Sequence, residues 1–351
     1  MAKRLIYLSW LLVFFSSCEE YYTPAIDKID GQLVVDALIT NDVTKNYVHL
    51  TRTRDFYSNL PNAPVLGAKI ELIDGNGTKV ESGNETIPGN FTFRTIPVVG
   101  KSYKLRILIG QDLFESEVVT MPPVPTISNF YTGDKVQRVY RTDSYGVPIA
   151  FDIQGREIYI DAPATNALSH YRFYTRSIIE WSYTPAAEGP PPPTRFGWKS
   201  FYEKARFNLA GPKKFSAATA KIEQHPLLML SYNAQDYLHF DSLTSNGWIL
   251  IIDQYGTSAG SFDYHEELNK QFAADGNLFD PIQTQIYGNI TCKTDPSKIV
   301  FGYFDLNSYR QMRYYMNLFG PDSPVIIRKL FRYPIIPDEG ETRGYPPGWW
   351  E

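Results

Sequence analysis

The chain is poor in the residues that most often carry chemistry. Its 351 residues contain two cysteines, Cys18 and Cys292, and five histidines. With Cys18 assigned a separate role below, no internal disulfide framework is possible, and Cys292 is expected to act as a small buried hydrophobe. No two of His49, His170, His225, His239 and His265 lie three or four residues apart, and none falls in an H-E-x-x-H or Cys/His cluster. No metal motif follows from that spacing. The chain has no phosphate-binding loop and no G-x-G-x-x-G, and Glu266 and Glu267 are adjacent and point apart on a helix. No metal, cofactor or catalytic residue is therefore expected. Blocks of Lys and Arg are missing too, which argues against a nucleic-acid partner, since phosphate contacts need clustered positive charge. Beyond the N-terminus the longest apolar run, Trp248–Ile252, is strand-sized, far short of the ~20 residues needed to cross a bilayer.

One motif invites an enzymatic reading. Gly256-Thr257-Ser258-Ala259-Gly260 matches G-x-S-x-G, with a strand pattern before it and a helical pattern after it, as a nucleophile elbow requires. The rest of that machinery is missing. The only later histidine is His265, inside the adjacent helix, and no glycine-rich oxyanion segment lies upstream. Nor do strands and helices alternate as a parallel sheet demands. Ser258 is accordingly read as non-catalytic.

What the chain does have begins at its N-terminus. Lys3 and Arg4 precede an apolar stretch from Leu5 to Phe15, broken only by Ser9, then Ser16-Ser17-Cys18-Glu19-Glu20. A basic start, a short apolar core and small residues before a possible cleavage point form the pattern of a secretory leader. Residues 1–17 are read as a signal peptide and Cys18 as the site of lipidation. Phe15 departs from the usual motif, in which Leu is commoner. Two acyl chains make a stable anchor where one gives only marginal binding. Residues 18–31 then read as a lipidated tether. The acidic pair Glu19 and Glu20 resembles the export signal that sends Bacteroidota lipoproteins to the outer face of the outer membrane. Losing Lys3 and Arg4 with the leader leaves 32 basic against 38 acidic residues, a net charge of −6.

Tyr 25, Phe 21 and Trp 6 favour strands, and Pro 25 with Gly 24 supplies many turns. Between residues 32 and 121 short strand patterns recur: Gln32–Ile39, Tyr47–Thr53, Lys69–Ile73, Lys79–Ser82, Asn90–Thr95, Lys101–Ile109 and Asp112–Thr120. Such spacing predicts a β-sandwich, Ig-like or prealbumin-like. Asp74-Gly75-Asn76-Gly77 lacks the further ligands of a calcium loop and reads as a hairpin turn. Met121-Pro122-Pro123-Val124-Pro125 cannot continue a central strand and marks a boundary. Residues 126–337 read as a second β-rich domain with one or two short helices, and 338–351 as a Pro/Gly/Trp tail. Its expected strands are Ser128–Tyr131, Ile149–Ile153, His170–Tyr183, Leu228–Asn233, Trp248–Tyr255 and Ile299–Leu306. A helix capped by Ser261 is expected to end near Gly276 and to pack Tyr264, Leu268 and Phe272 against a sheet. Gly189-Pro190-Pro191-Pro192-Pro193 reads as a polyproline loop tip. Trp349 and Trp350 leave two readings open, docking to a partner or capping the chain's own core.

Three segments in this order resemble a known family: Leu33–Thr40, Val65–Leu72 and Val119–Pro125, with Leu278–Pro281, Gly288–Ile290 and Val300–Phe304 further on. They are similar to the Bacteroidota lipoprotein family catalogued as domain of unknown function 4249, over most of residues 30–335. That resemblance implies association with TonB-dependent outer-membrane receptors and supplies no active-site residues. The expected function is a non-enzymatic, surface-exposed outer-membrane lipoprotein serving such a receptor as ligand-capturing subunit, lid or scaffold. The alternative is a free-standing glycan- or protein-binding adhesin.

Overall fold

The computed structural model describes residues 31–54, 58–165, 167–184, 189–190, 194–202, 207–212, 221–232, 244–273, 285–317, 326–329 and 342–343. Cys18, Glu19, Glu20, the rest of the tether up to Asp30, His239, Trp349 and Trp350 lie outside them. The chain is mainly β. Alternating apolar residues build two sheets over the first ninety described positions. Val35, Ala37 and Ile39 of strand Leu33–Ile39 point inward to meet Leu72, Leu105 and Ile107 of the opposite sheet, all almost fully buried. Each buried side chain of this size contributes about 1.5–3 kcal/mol, and this shared interior makes the pair a sandwich. The Asp74–Gly77 segment is the hairpin turn expected, with the Asp74 carboxylate accepting from the amides of Asn76 at 2.9 Å and Thr78 at 2.8 Å.

The sandwich is not built from residues 32–121 alone. Strand Ile290–Cys292 pairs with Asp112–Ser116 in one sheet. Strand Val300–Leu306 runs parallel to Leu33–Ile39 in the other, Val35 opposite Gly302. Parallel neighbours need a long crossover, and here everything between lies in the crossover. Residues expected within the second domain thus supply a strand to each sheet of the first. Cys292 is free and buried in this core, as its isolation implied. Gly302 is required in the returning strand: its φ is +92°, and an added Cβ would stand 1.9 Å from the carbonyl oxygen of Val35. Asn289 pins this strand. It donates to the Phe304 carbonyl at 3.0 Å and accepts from the Phe304 amide at 2.9 Å.

The second unit packs a three-stranded sheet (Asn129–Thr142, Pro148–Pro163, Lys221–Ser231) on a seven-stranded one. In the larger sheet His170–Tyr183 and Thr244–Thr257 lie side by side, with Ser308–Asn317 beyond. Trp248, Leu250 and Ile252 face this core, while Ile249 and Ile251 pack with Ile178 and Trp198 in a second apolar cluster on the opposite face of the sheet. The strand Ser308–Asn317 was not expected, and several others are longer than their apolar patterns suggested. Residues 136–154 project as a two-stranded ribbon past the end of Lys221–Ser231, with Tyr140 and Tyr145 exposed at 70% and 89%.

One α-helix, Ala259–Phe272, lies among the described residues, beside a short 3-10 turn at Val43–Lys45. Its N-cap is Ser258, not Ser261; the Ser258 hydroxyl accepts from the Ser261 amide at 3.1 Å. Its buried face is also not the one expected. Ser261 and His265 are buried, while Phe272 is 62% exposed. Of the expected stripe, Tyr264 stacks on Tyr303 of the sheet and Leu268 lines the cleft, while Ser261 and His265 take the deepest positions because Asp305 and Arg172 lie beneath them.

Candidate functional site

The two units meet through faces that a simple alternation would leave in water. In Leu33–Ile39 the residues opposite the core are Val34, Asp36 and Leu38, and in the neighbouring strand Tyr303 and Asp305 share that face. In the larger sheet of the second unit the outward positions include Arg172, Tyr174 and Tyr255. The helix closes one side with Tyr264, His265 and Leu268. Together they enclose a cleft of about 540 Å³. The segment Val300–Asn317 passes from a sheet of the first unit to a sheet of the second and fixes their junction. Asn41 clamps it by donating to the Tyr309 carbonyl at 3.0 Å and accepting from its amide at 2.6 Å. Ser308 adds a hydroxyl bond to the Pro123 carbonyl at 2.6 Å.

At the floor lies a buried charge network. Arg172, 3% exposed, places a terminal guanidinium nitrogen 3.0 Å from the Asp305 carboxylate. The same nitrogen is 2.5 Å from His265 Nε2. A guanidinium only donates, so Nε2 accepts and the ring proton sits on Nδ1, which donates to the Ser261 carbonyl at 2.8 Å. Ser261 in turn gives its hydroxyl proton to Asp305 at 2.5 Å. With its amide turned to bring oxygen toward the guanidinium, Asn307 accepts a further Arg172 bond at 3.3 Å. The guanidinium also lies over the Tyr174 and Tyr255 rings, 5.6 and 5.2 Å from their centroids. Burial and the nearby Arg172 charge, against the pull of Asp305, lower His265 to about 4, so the ring is neutral at physiological pH. Burial opposes ionisation of Asp305, but Arg172, His265 and Ser261 outweigh it and hold the carboxyl below its ordinary range. A buried pair of this kind is costly to break, since either partner alone leaves an unpaired buried charge.

The walls above are aromatic and hydroxylated. Tyr264 stacks on Tyr303 at 4.7 Å, and Tyr174 meets Tyr255 edge-on at 5.9 Å. Phe207 stands against both Tyr174 and His265. Asp36 faces the cleft with one oxygen 3.2 Å from the Tyr47 hydroxyl and the other 3.9 Å from His49 Nδ1. Desolvation by the surrounding walls raises its carboxyl despite the Tyr47 bond, although water reaches it. Burial also raises the phenols of Tyr47, Tyr174, Tyr255, Tyr264 and Tyr303, Tyr264 to about 12. They remain proton donors across the physiological range.

Among residues weighed from the sequence, Ser258 serves as the helix cap, its hydroxyl accepting from the Ser261 amide. Of the four described histidines, only His265 enters the network. His49 flanks Asp36, His170 packs on Phe262 at 4.9 Å, and His225 bonds Asn208 at 2.5 Å. No cluster of three metal-ligating side chains occurs among the described residues. Arg172, Asp305, Asp36 and the cleft tyrosines other than Tyr264 were not singled out from the sequence. Their signal was a charge inside an otherwise apolar strand, as Asp305 stands in Val300–Leu306.

A family model described as "Domain of unknown function (DUF4249)" matches residues 19–313, a span that contains every charged residue of this network. No curated protein and no solved structure matches the chain.

Proposed function

The chain belongs to the family described as Domain of unknown function (DUF4249), and since that membership names no activity, we propose that it is a non-enzymatic, ligand-capturing lipoprotein of the outer-membrane surface, accessory to a TonB-dependent receptor. The junction cleft carries this reading. Its walls come from both β units and the helix, which is a common place for a small-molecule site. Its reactive-looking groups are committed to one another. The His265 lone pair is taken by Arg172, and the Ser261 proton by Asp305. Groups committed in this way hold the walls in place and are not poised as a base beside a nucleophile.

The address comes from the sequence. A leader over residues 1–17, a lipidated Cys18 and the acidic Glu19 and Glu20 favour anchorage on the outer membrane, facing the exterior, with residues 18–31 as the tether. The partner is a TonB-dependent β-barrel, which a ligand-capturing subunit would feed. Tagged protein purified from detergent-solubilised outer membrane is expected to bring down such a barrel, and Cys18→Ala is expected to abolish both membrane retention and that recovery. Recovery of no barrel by the wild-type protein would overturn the accessory role. The free-standing adhesin is the second reading, favoured by the exposed Tyr140 and Tyr145 of the projecting ribbon.

A further inference from the structure

We propose that the junction cleft takes a neutral, polyhydroxylated ring, a pyranose unit of a glycan, laid against the aromatic and aliphatic wall and bonded to phenol hydroxyls and Asp36. The inference rests on the ligand-capturing reading and names the class of ligand. Three independent features of the walls converge on it.

The first is unused hydrogen-bonding capacity. Tyr174, Tyr255 and Tyr264 line the cleft, and their hydroxyls take no partner among the described residues. A phenol both donates and accepts, and a ligand rich in hydroxyls matches both roles at every position. Asp36 adds acceptor capacity, because its second oxygen lies 3.9 Å from His49, beyond hydrogen-bond reach.

The second is charge. Arg172 is neutralised within the wall by Asp305 at 3.0 Å. That leaves Asp36 and Lys45, one of each sign, among the lining side chains. A cationic ligand seeking the aromatic faces would meet the Arg172 guanidinium already over Tyr174 and Tyr255. An anionic one would meet Lys45 but also Asp36, with Arg172 already committed to Asp305. A neutral ligand meets neither penalty.

The third is apolar surface of the right form. The Tyr264–Tyr303 stack, Phe207 and Leu268 offer flat and aliphatic patches against which the C–H face of a sugar ring packs. A cleft of about 540 Å³ falls within the ~300–1,000 Å³ typical of small-molecule sites.

Saturation-transfer NMR on the purified protein tests this with cellobiose, maltose, lactose and diacetylchitobiose as probes, and tetramethylammonium and acetate as charged comparators. Transfer to at least one disaccharide is expected, with binding weakened about fivefold by Tyr174→Phe and by Asp36→Asn, as loss of one hydrogen bond implies. Both variants alter side chains that water reaches, and an unchanged melting temperature verifies their folding. Transfer to none of the disaccharides, transfer only to a charged comparator, or saccharide binding that both folded variants retain in full would overturn the proposal. Recovery of a β-barrel from the same preparation without saccharide binding removes the ligand class and leaves the accessory role standing. Saccharide binding without a barrel does the reverse.

Discussion

Acidification is expected to loosen the junction through one residue. His265 titrates at about 4 in the folded protein against 6.5 for a free imidazole, because burial and Arg172 disfavour its charged form. Below 6.5 the unfolded chain therefore takes up a proton that the native state refuses. The contribution is intact above 6.5 and is lost progressively as pH falls toward 4. At about 1.4 kcal/mol per pH unit, the full window is worth roughly 3 kcal/mol, and most of it is spent by pH 4.5. His225, also lowered to about 4 by burial, acts in the same direction, so wild-type behaviour alone does not isolate the effect. His265→Gln does. An amide oxygen still accepts from Arg172, but nothing at that position titrates. Urea unfolding followed by circular dichroism at pH 7.0 and 4.5 is expected to show the wild type losing about 2–3 kcal/mol more than the variant. Equal losses in both proteins would refute the assignment of a neutral, Arg172-bonded His265.

Three further outcomes follow from the packing. Ser258→Ala removes a helix cap and is expected to cost about 1 kcal/mol in thermal unfolding while leaving hydrolysis of p-nitrophenyl esters at the uncatalysed background. Gly302→Ala forces a left-handed backbone and a Cβ onto the Val35 carbonyl; a loss of about 3 kcal/mol is expected in urea titration. A chain ending at residue 285 loses Ile290, Cys292, Val300, Phe304 and Leu306 from the first core. That burial is worth about 10 kcal/mol, comparable to the whole stability of a domain, so the calorimetric transition of the first sandwich is expected to vanish.

The strands of the first sandwich were legible because one face of each is apolar and the other is hydrated. Lys79–Ser82 and His170–Tyr183 have the bounds their patterns implied. The site was not legible for the same physical reason. Asp36, Arg172 and Tyr255 occupy alternate positions that read as a solvent face, and only the meeting of two sheets buries or encloses them. Ser308–Asn317 escaped notice because Gln311 and Arg313 interrupt its apolar residues, although Arg313 is buried and bonded to Gln311 at 2.8 Å. The helix was found and its inward face was not, since a periodicity of apolar residues identifies that face only when the surface beneath is apolar.

The returning strand Val300–Leu306 has a consequence for the order in which the molecule comes into being. Asn41 and Tyr309, which clamp the junction, stand 268 residues apart in the chain. Until residue 306 leaves the ribosome, Leu33–Ile39 is the open edge of its sheet. At about 5–20 residues per second that interval lasts tens of seconds. An apolar edge strand left unpaired for so long is a template for misassembly, and high contact order slows its closure further. The first strand of the sandwich thus waits for its neighbour through nearly the whole of synthesis.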